Sequence, residues 1–221
     1  MIRSNKKIII GLTGNSGSGK TTAAEILREF GAHAIDADKS VHRLMEPGQA
    51  AYNEIAETFG DEILEAPSAP IDRKKLAAIV FNDTEKRTKL EAIIHPIVCA
   101  DILTEAKASE ADIVVIDAVL LVESGLHHHC DAVWLITAAE EERLKRIIKR
   151  DQITQEAAEA RMRNQRNTDY IKSIAQAVIE NNGDQANLKS QIKKILDKLM
   201  GSGDESPAGF GAAPQGLEES K

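Results

Sequence analysis

The octet Gly14-Asn15-Ser16-Gly17-Ser18-Gly19-Lys20-Thr21 constrains the fold of this chain more than any other segment. It has the spacing G-x-x-x-x-G-K-[ST], and both flanks suit it. Upstream, the apolar run Ile8-Ile9-Ile10-Gly11-Leu12 reads as a buried strand. Downstream, between Thr22 and Phe30, Ala23, Ile26, Leu27 and Phe30 fall on one helical stripe. Strand, glycine loop and helix in that order make an anion cradle. Glycines let backbone N–H groups converge without Cβ interference, and the helix N-terminus adds partial positive charge. The pattern arises by chance in roughly 1% of chains this long. The alternative, a Gly-rich turn that binds nothing, does not explain why strand and helix both frame it. The expected ligand is a nucleoside triphosphate held by Gly14 to Thr21 and by Thr22. Lys20 would reach the β- and γ-phosphates, and the Thr21 hydroxyl would join a magnesium shell.

The rest of the chain fits an α/β reading. Apolar runs at Ala32 to Asp36, Ile113 to Ile116 (closed by Asp117), Ala132 to Ile136 and Ala177 to Ile179 are short and nearly unbroken. Such runs suit parallel strands covered on both faces. Strands alternating with helices predict a doubly wound parallel sheet whose ligand site lies at the strand carboxyl ends. From Asp38 to about residue 112 the pattern turns helical, at Val41 to Met45, Ala51 to Phe59, Arg73 to Phe81 and Thr84 to Ala106, with a loop over residues 65–70. An insertion of that kind in a phosphate-loop core is expected to carry a second substrate, by analogy of fold. The expected core is 6–40 and 112–200, with the insert at about 41–111. Residues 139–160 read as helical and charged, with Arg143, Lys145, Arg146, Lys149 and Arg150 on a helix pair that acts as a lid (about 143–166) or is simply a solvated face. Residues 201–221 are rich in Gly, Ser, Pro and Ala and are expected to be a disordered tail.

Composition narrows the class. A chain of 221 residues with 35 acidic and 28 basic side chains carries a net charge of −7, which argues against a general nucleic-acid or anionic-membrane binder. The first seven residues contain no apolar signal core, and no apolar run approaches membrane-spanning length. A soluble, cytoplasmic protein is the expectation, with Cys99 and Cys130 as free thiols. The run His127-His128-His129-Cys130 is a poor metal site, since successive loop residues do not readily form a tetrahedron.

Candidate chemistry sits at the predicted strand ends. Asp36 and Asp38 flank Ala37 where the second strand ends, near the crevice facing a triphosphate. Phosphoryl transfer to an alcohol uses a carboxylate to accept the hydroxyl proton. Asp38 is preferred as that base, with Asp36 as the alternative; Asp38 also suits an N-cap for a helix starting near Val41. Asp117 closes an apolar strand, where a carboxylate engages magnesium directly or through water, or is a loop residue. Glu123 is a further candidate. Arg73 and His95, read at the edges of insert helices, are candidates for an anionic second substrate, although an isolated Arg or His is more often structural. An alcohol kinase is one reading; a nucleotide-gated binding protein without small-molecule transfer is another.

Together these residues resemble the dephospho-CoA kinase family across roughly Ile8 to Leu199. The matching segments are Gly11-Leu12-Thr13-Gly14 running into Gly17 to Thr22, Ile35-Asp36-Ala37-Asp38, Phe59-Gly60, and Ile71-Asp72-Arg73. After them come Val80-Phe81, Ile94-His95-Pro96, Leu120-Leu121 with Glu123, and Gln165 with Asn181 and Gly183. The resemblance implies ATP- and Mg2+-dependent phosphorylation of the ribose 3′-hydroxyl of dephospho-CoA, the last step of coenzyme A biosynthesis. It implies Asp38 as catalytic base, a helical CoA-binding region holding Arg73, and lid arginines at Arg146 and Arg150. It also implies Asn181 near the adenine. Departures from the family pattern are Asn15-Ser16 for Gly-Ile, Val119 for Pro and Gln176 for Asp. The first is expected to cost little because those positions need only backbone donors, and the second to shift Glu123 slightly.

Overall fold

The computed structural model describes residues 7–66, 69–81, 83–163, 165 and 168–201. The expected tail beyond residue 201, the first six residues and parts of the expected 65–70 loop and of the lid therefore lie outside the described residues.

The β1 strand (Ile8–Thr13) leads through the glycine loop into α1 (Lys20–Glu29), then β2 (His33–Asp36). Helices α2 (Ala37–Leu44), α3 (Tyr52–Phe59), α4 (Arg73–Phe81) and α5 (Thr84–Ala108) precede β3 (Ile113–Asp117). Then follow β4 (Ala132–Thr137), α6 (Glu140–Asp151), α7 (Gln155–Arg163), α8 (Asp169–Ile174), β5 (Ala177–Glu180) and α9 (Gln185–Gly201). The sheet runs β2-β3-β1-β4-β5, and every pair is parallel. Because β1 is central and its neighbours β3 and β4 come later in the chain, the strand order reverses at the carboxyl end of β1. An open α/β sheet places its ligand crevice at such a point.

Alternation along the strands splits the core into two layers. Val114, Ile116 and Val133 pack with Ile35 against the α2–α5 side, among them Ile55, Ile94, Val98 and Ile102. Ile10, Leu12, Val115, Trp134 and Ile136 face the other way, against Ile26 and Leu27 of α1 and Leu188, Ile192 and Leu196 of α9. Burial on both faces explains why the strands read as unbroken apolar runs.

Several expectations needed correction. The helix expected near Val41 begins at Ala37, and its N-cap is Asp36, whose carboxylate accepts from the Lys39 N–H at 3.1 Å. His95 lies inside the 25-residue α5, not at a helix edge, and Pro96 follows it within the helix. A proline in mid-helix removes one backbone hydrogen bond, and here the stripe Ile94, Val98, Ile102 and Ala106, spaced four apart and buried, carries the helix through. The helical stretch at 139–160 is two helices parted at Gln152, which is left-handed (φ 53°). The 65–70 loop is closed at its base by a bridge between Leu64 and Ile71. Helices α8 and α9 were not anticipated; the Leu188, Ile192, Leu196 stripe was the available signal for α9.

Two departures from the family pattern are absorbed locally. Gln176 accepts from the Val133 N–H at 2.6 Å and donates its own N–H to the Val133 carbonyl at 2.9 Å, so its side chain extends the β4–β5 ladder. Val119 stands in a turn fastened to β1 by the Ala118 N–H on the Leu12 carbonyl (3.0 Å) and the Thr13 hydroxyl on the Val119 carbonyl (3.3 Å). Both cysteines are free. Burial pushes the Cys130 thiol up to about 12. Among the described residues no helix is long and apolar enough to cross a membrane.

Ile102 is fully buried where α5 meets the sheet. Ile102→Ala is expected to destabilise the fold by about 2–5 kcal/mol through lost burial and a residual cavity. A denaturant titration followed by emission of Trp134, the single tryptophan and 1% exposed, checks this. A midpoint equal to that of the unsubstituted protein would mean that α5 does not anchor the insert.

Candidate active site

The carboxyl ends of the strands bring the site together. Register places Asp117 beside Leu12 of β1 on one side and beside Asp36 of β2 on the other. Thr13 ends β1 and opens the loop, in which Gly14, Gly17 and Gly19 have φ of 158°, 80° and 92°. The last two are left-handed positions where a Cβ is strained. Tight packing adds to the requirement: a Cβ on Gly17 would meet the Arg143 carbonyl at 2.7 Å, and one on Gly19 would meet Asn181 Nδ2 at 2.0 Å.

The loop closes on itself through the Ser18 N–H on the Asn15 carbonyl at 3.1 Å. Its outward carbonyls are taken up from behind. Arg143 Nε donates to the Ser16 carbonyl at 3.1 Å. Arg146 Nη1 donates to the Gly17 and Ser18 carbonyls at 3.3 and 3.4 Å, and its Nη2 donates to the Asn181 carbonyl at 2.8 Å. Asn181 Nδ2 donates to the Ser18 carbonyl at 2.9 Å. Ser16 also uses its side chain, since Arg150 Nη2 donates to its hydroxyl at 3.1 Å; the Asn15-Ser16 pair therefore supplies more than backbone donors.

In front of the loop lies a cavity of about 730 Å3. Asn15, Ser16, Gly17, Gly19, Lys20, Thr21 and Thr22 line it together with Asp38, Glu123, Arg146 and Arg150. Exposed Val119 and Leu120 form an apolar part of its wall. Gly14 lines the cavity too, whereas the remaining predicted residues lie elsewhere. Asn181 (7% exposed) is behind the loop, and Asp36 is occupied as the α2 cap. Arg73 begins α4 and His95 is inside α5, and neither lines the cavity.

Arg161 and Gln165 line the cavity as well, and the sequence reading assigned them no site role. Asp151 holds Arg161 and pairs with Arg150 through bonds of 2.7 and 2.9 Å, so one carboxylate sets two cavity-lining guanidinia. Arg143, expected on a lid or a solvated helix face, bonds both the loop and Gln165 Oε1. Its i−3 and i−7 spacing from Arg146 and Arg150, which puts all of them on one stripe of α6, was the available signal.

The electrostatics suit a polyanion. Lys20 is paired with Asp117, whose side chain is nearly buried. Burial raises the Asp117 carboxyl above its ordinary value, opposed by the Lys20 charge and reinforced by Asp36 and Asp38. For Asp36, burial pushes upward, but the Lys39 N–H and ammonium outweigh it and hold that carboxyl low. Burial lowers Arg143, which among the described residues bonds carbonyl oxygens and no carboxylate. Lys20, Arg146, Arg150 and Arg161 thus face the cavity against Asp38 and Glu123, in a chain whose overall charge is −7.

Residues 8–187 match the family model described as dephospho-CoA kinase. The dephospho-CoA kinase of Geobacillus kaustophilus is 41% identical over 192 residues, covering 86% of this chain and 95% of that relative. Among solved structures, a Thermus thermophilus protein is 34% identical with a TM-score of 0.76, over 88% of this chain and 98% of that one. The dephospho-CoA kinase from Campylobacter jejuni is 29% identical with a TM-score of 0.63, over 88% and 98%.

Gly19→Ala puts a Cβ into a left-handed position against Asn181. It is expected to cost at least about 2 kcal/mol, which lowers Tm by roughly 4–8 °C in a domain of this size. Thermal unfolding checks it, and an unchanged Tm would show that the loop relaxes away from Asn181 freely.

Proposed function

The chain belongs to the dephospho-CoA kinase family, and on that premise we propose how its residues transfer the γ-phosphoryl group of ATP to the ribose 3′-hydroxyl of dephospho-CoA. The observation that carries the assignment is the presence of Asp38 on the same cavity as the loop and Lys20, while Asp36 is spent on the α2 cap. Asp38 sits exposed in the first turn of α2, within reach of an acceptor entering from the insert side. There it orients the hydroxyl for in-line attack and accepts its proton.

Backbone N–H groups of the loop and of the first turn of α1 bind the phosphates, because a helix leaves its first N–H groups without internal partners. Lys20 leaves Asp117 for the β- and γ-phosphates, exchanging one anionic partner for another. Arg146, Arg150 and Arg161 supply positive charge to the transferring group. The Thr21 hydroxyl and Asp117 suit Mg2+, which takes one or two protein donors beside phosphate oxygens and waters and neutralises developing charge. That donor set fits the described residues, among which no group of three or more His, Cys, Asp or Glu side chains is close enough to chelate an ion unaided.

The acceptor enters from the helical insert, about residues 41–111. Glu123, Val119 and Leu120 bound its end of the cavity, and Arg73 and His95 are offered to the more distant parts of a CoA-sized molecule. Residues about 143–166 act as a lid: closure over the nucleotide excludes water and suppresses idle hydrolysis. The matches lend no support to a kinase for another alcohol or to a nucleotide-gated binder.

Incubation with Mg·ATP and dephospho-CoA, followed by mass spectrometry, is expected to show one added phosphoryl group on the ribose and none with Lys20→Ala. Absence of product from folded, ATP-binding protein would refute the substrate. Asp38→Asn is expected to bind ATP normally and to lose about 10²–10⁴-fold in turnover; turnover within twofold of the parent enzyme would remove Asp38 from the role of base.

A further inference from the structure

Asn181 lies at the end of β5, 7% exposed, and joins several parts of the fold. Its N–H donates to the Thr137 carbonyl at 2.8 Å, which ties it to the end of β4. Its carbonyl accepts from Arg146 of α6 at 2.8 Å. Its side-chain amide donates to the Ser18 carbonyl at 2.9 Å, across 163 residues of sequence. Among the described residues it is not part of the cavity lining, whereas Gly19, which it touches from behind, is.

In a trans peptide the C=O of one residue and the N–H of the next point in opposite directions. Holding the Ser18 carbonyl toward Asn181 and Arg146 therefore turns the Gly19 N–H toward the cavity. Gly19 is left-handed at φ 92° and precedes α1, so this N–H is free of helix pairing and continuous with the anion-binding first turn. We propose that Asn181 is a positioning residue for phosphate binding, aiming the Gly19 N–H by gripping the Ser18 carbonyl and making no contact with the nucleotide. A left-handed glycine has few steric restraints of its own. Without the amide, the Ser18–Gly19 peptide turns more freely, and the N–H must be ordered at the moment of binding. Arg146 does not replace the amide, because its bond to the same carbonyl is longer, at 3.4 Å.

The inference rests on the reading that this loop binds the triphosphate of ATP. Its test separates the loop from the base by using inorganic tripolyphosphate beside ATP, with both affinities measured by calorimetry and no acceptor present. Asn181→Ala removes the donor and the bulk, while Asn181→Leu keeps the volume and removes only the donor. Both leave the main-chain bond to Arg146 in place, and Trp134 emission reports whether each variant is folded; if the alanine variant is not, the leucine variant carries the test.

The expected result is a rise of about tenfold in Kd for ATP and for tripolyphosphate alike, the loss of one hydrogen bond that organises an anion site. A loss confined to ATP would place Asn181 at the base and overturn the proposal. Affinities within twofold of the parent protein for both ligands would overturn it as well, leaving Asn181 a purely structural residue. Failure of the unsubstituted protein to bind either ligand would overturn the nucleotide assignment itself, and this inference with it.

Discussion

A loop that aims its N–H groups at an anion must send its carbonyls the other way, and those carbonyls need partners. This backbone accounting organises the site. Left-handed Gly17 and Gly19 permit the turn, but they do not hold it. The hold comes from Arg143 on Ser16, Arg146 on Gly17 and Ser18, and Asn181 on Ser18. Unsatisfied buried carbonyls would cost about 1–3 kcal/mol each. Guanidinium and amide donors remove that cost and bring positive charge behind an anion site. The same contacts fix where α6 sits, since the Arg143 backbone lies against the face of Gly17 that lacks a Cβ.

Charge is arranged around that loop as a set of exchangeable pairs. Lys20 waits on Asp117, and Arg150 and Arg161 wait on Asp151. A nearly buried carboxylate such as Asp117 is costly without its partner, because desolvation opposes its ionised form. Each pair holds a cation beside the cavity. The neighbouring aspartates divide the work at the end of β2: Asp36 satisfies the start of α2, and Asp38, two residues on in its first turn, is left facing the cavity.

Much of this was legible in the residues. The glycine octet with its flanking apolar run and helical stripe located the loop, and the unbroken runs at Ile113 to Ile116 and Ala132 to Ile136 identified central strands. Legibility failed where local and long-range signals diverged. The start of α2 was misplaced because Asp36 and Asp38 are both good caps, and only the strand register shows which one ends β2. His95 was expected at a helix edge, whereas burial of Ile94, Val98 and Ile102 carries α5 through His95-Pro96. Arg161 had no local signature of function, since its partner Asp151 lies on another helix, and the bonds of Arg143 and Asn181 to the loop join residues far apart in the chain.

What the sequence determined by itself is what depends on neighbours in the chain: the loop between strand and helix, the alternation that splits the core, and the choice of a parallel α/β architecture. These follow from glycine conformational freedom, side-chain periodicity and burial, which act over a few residues. What the tertiary structure alone decided is which groups share the cavity and which stand behind it. Asp38, Glu123 and Arg150 are brought to the front, Asp117 is paired with Lys20, and Asp36 and Asn181 are turned to a helix cap and a loop carbonyl. The reason is that strand order and register, not sequence spacing, set the distances between charges and donors, and interactions at those distances assign each residue its work.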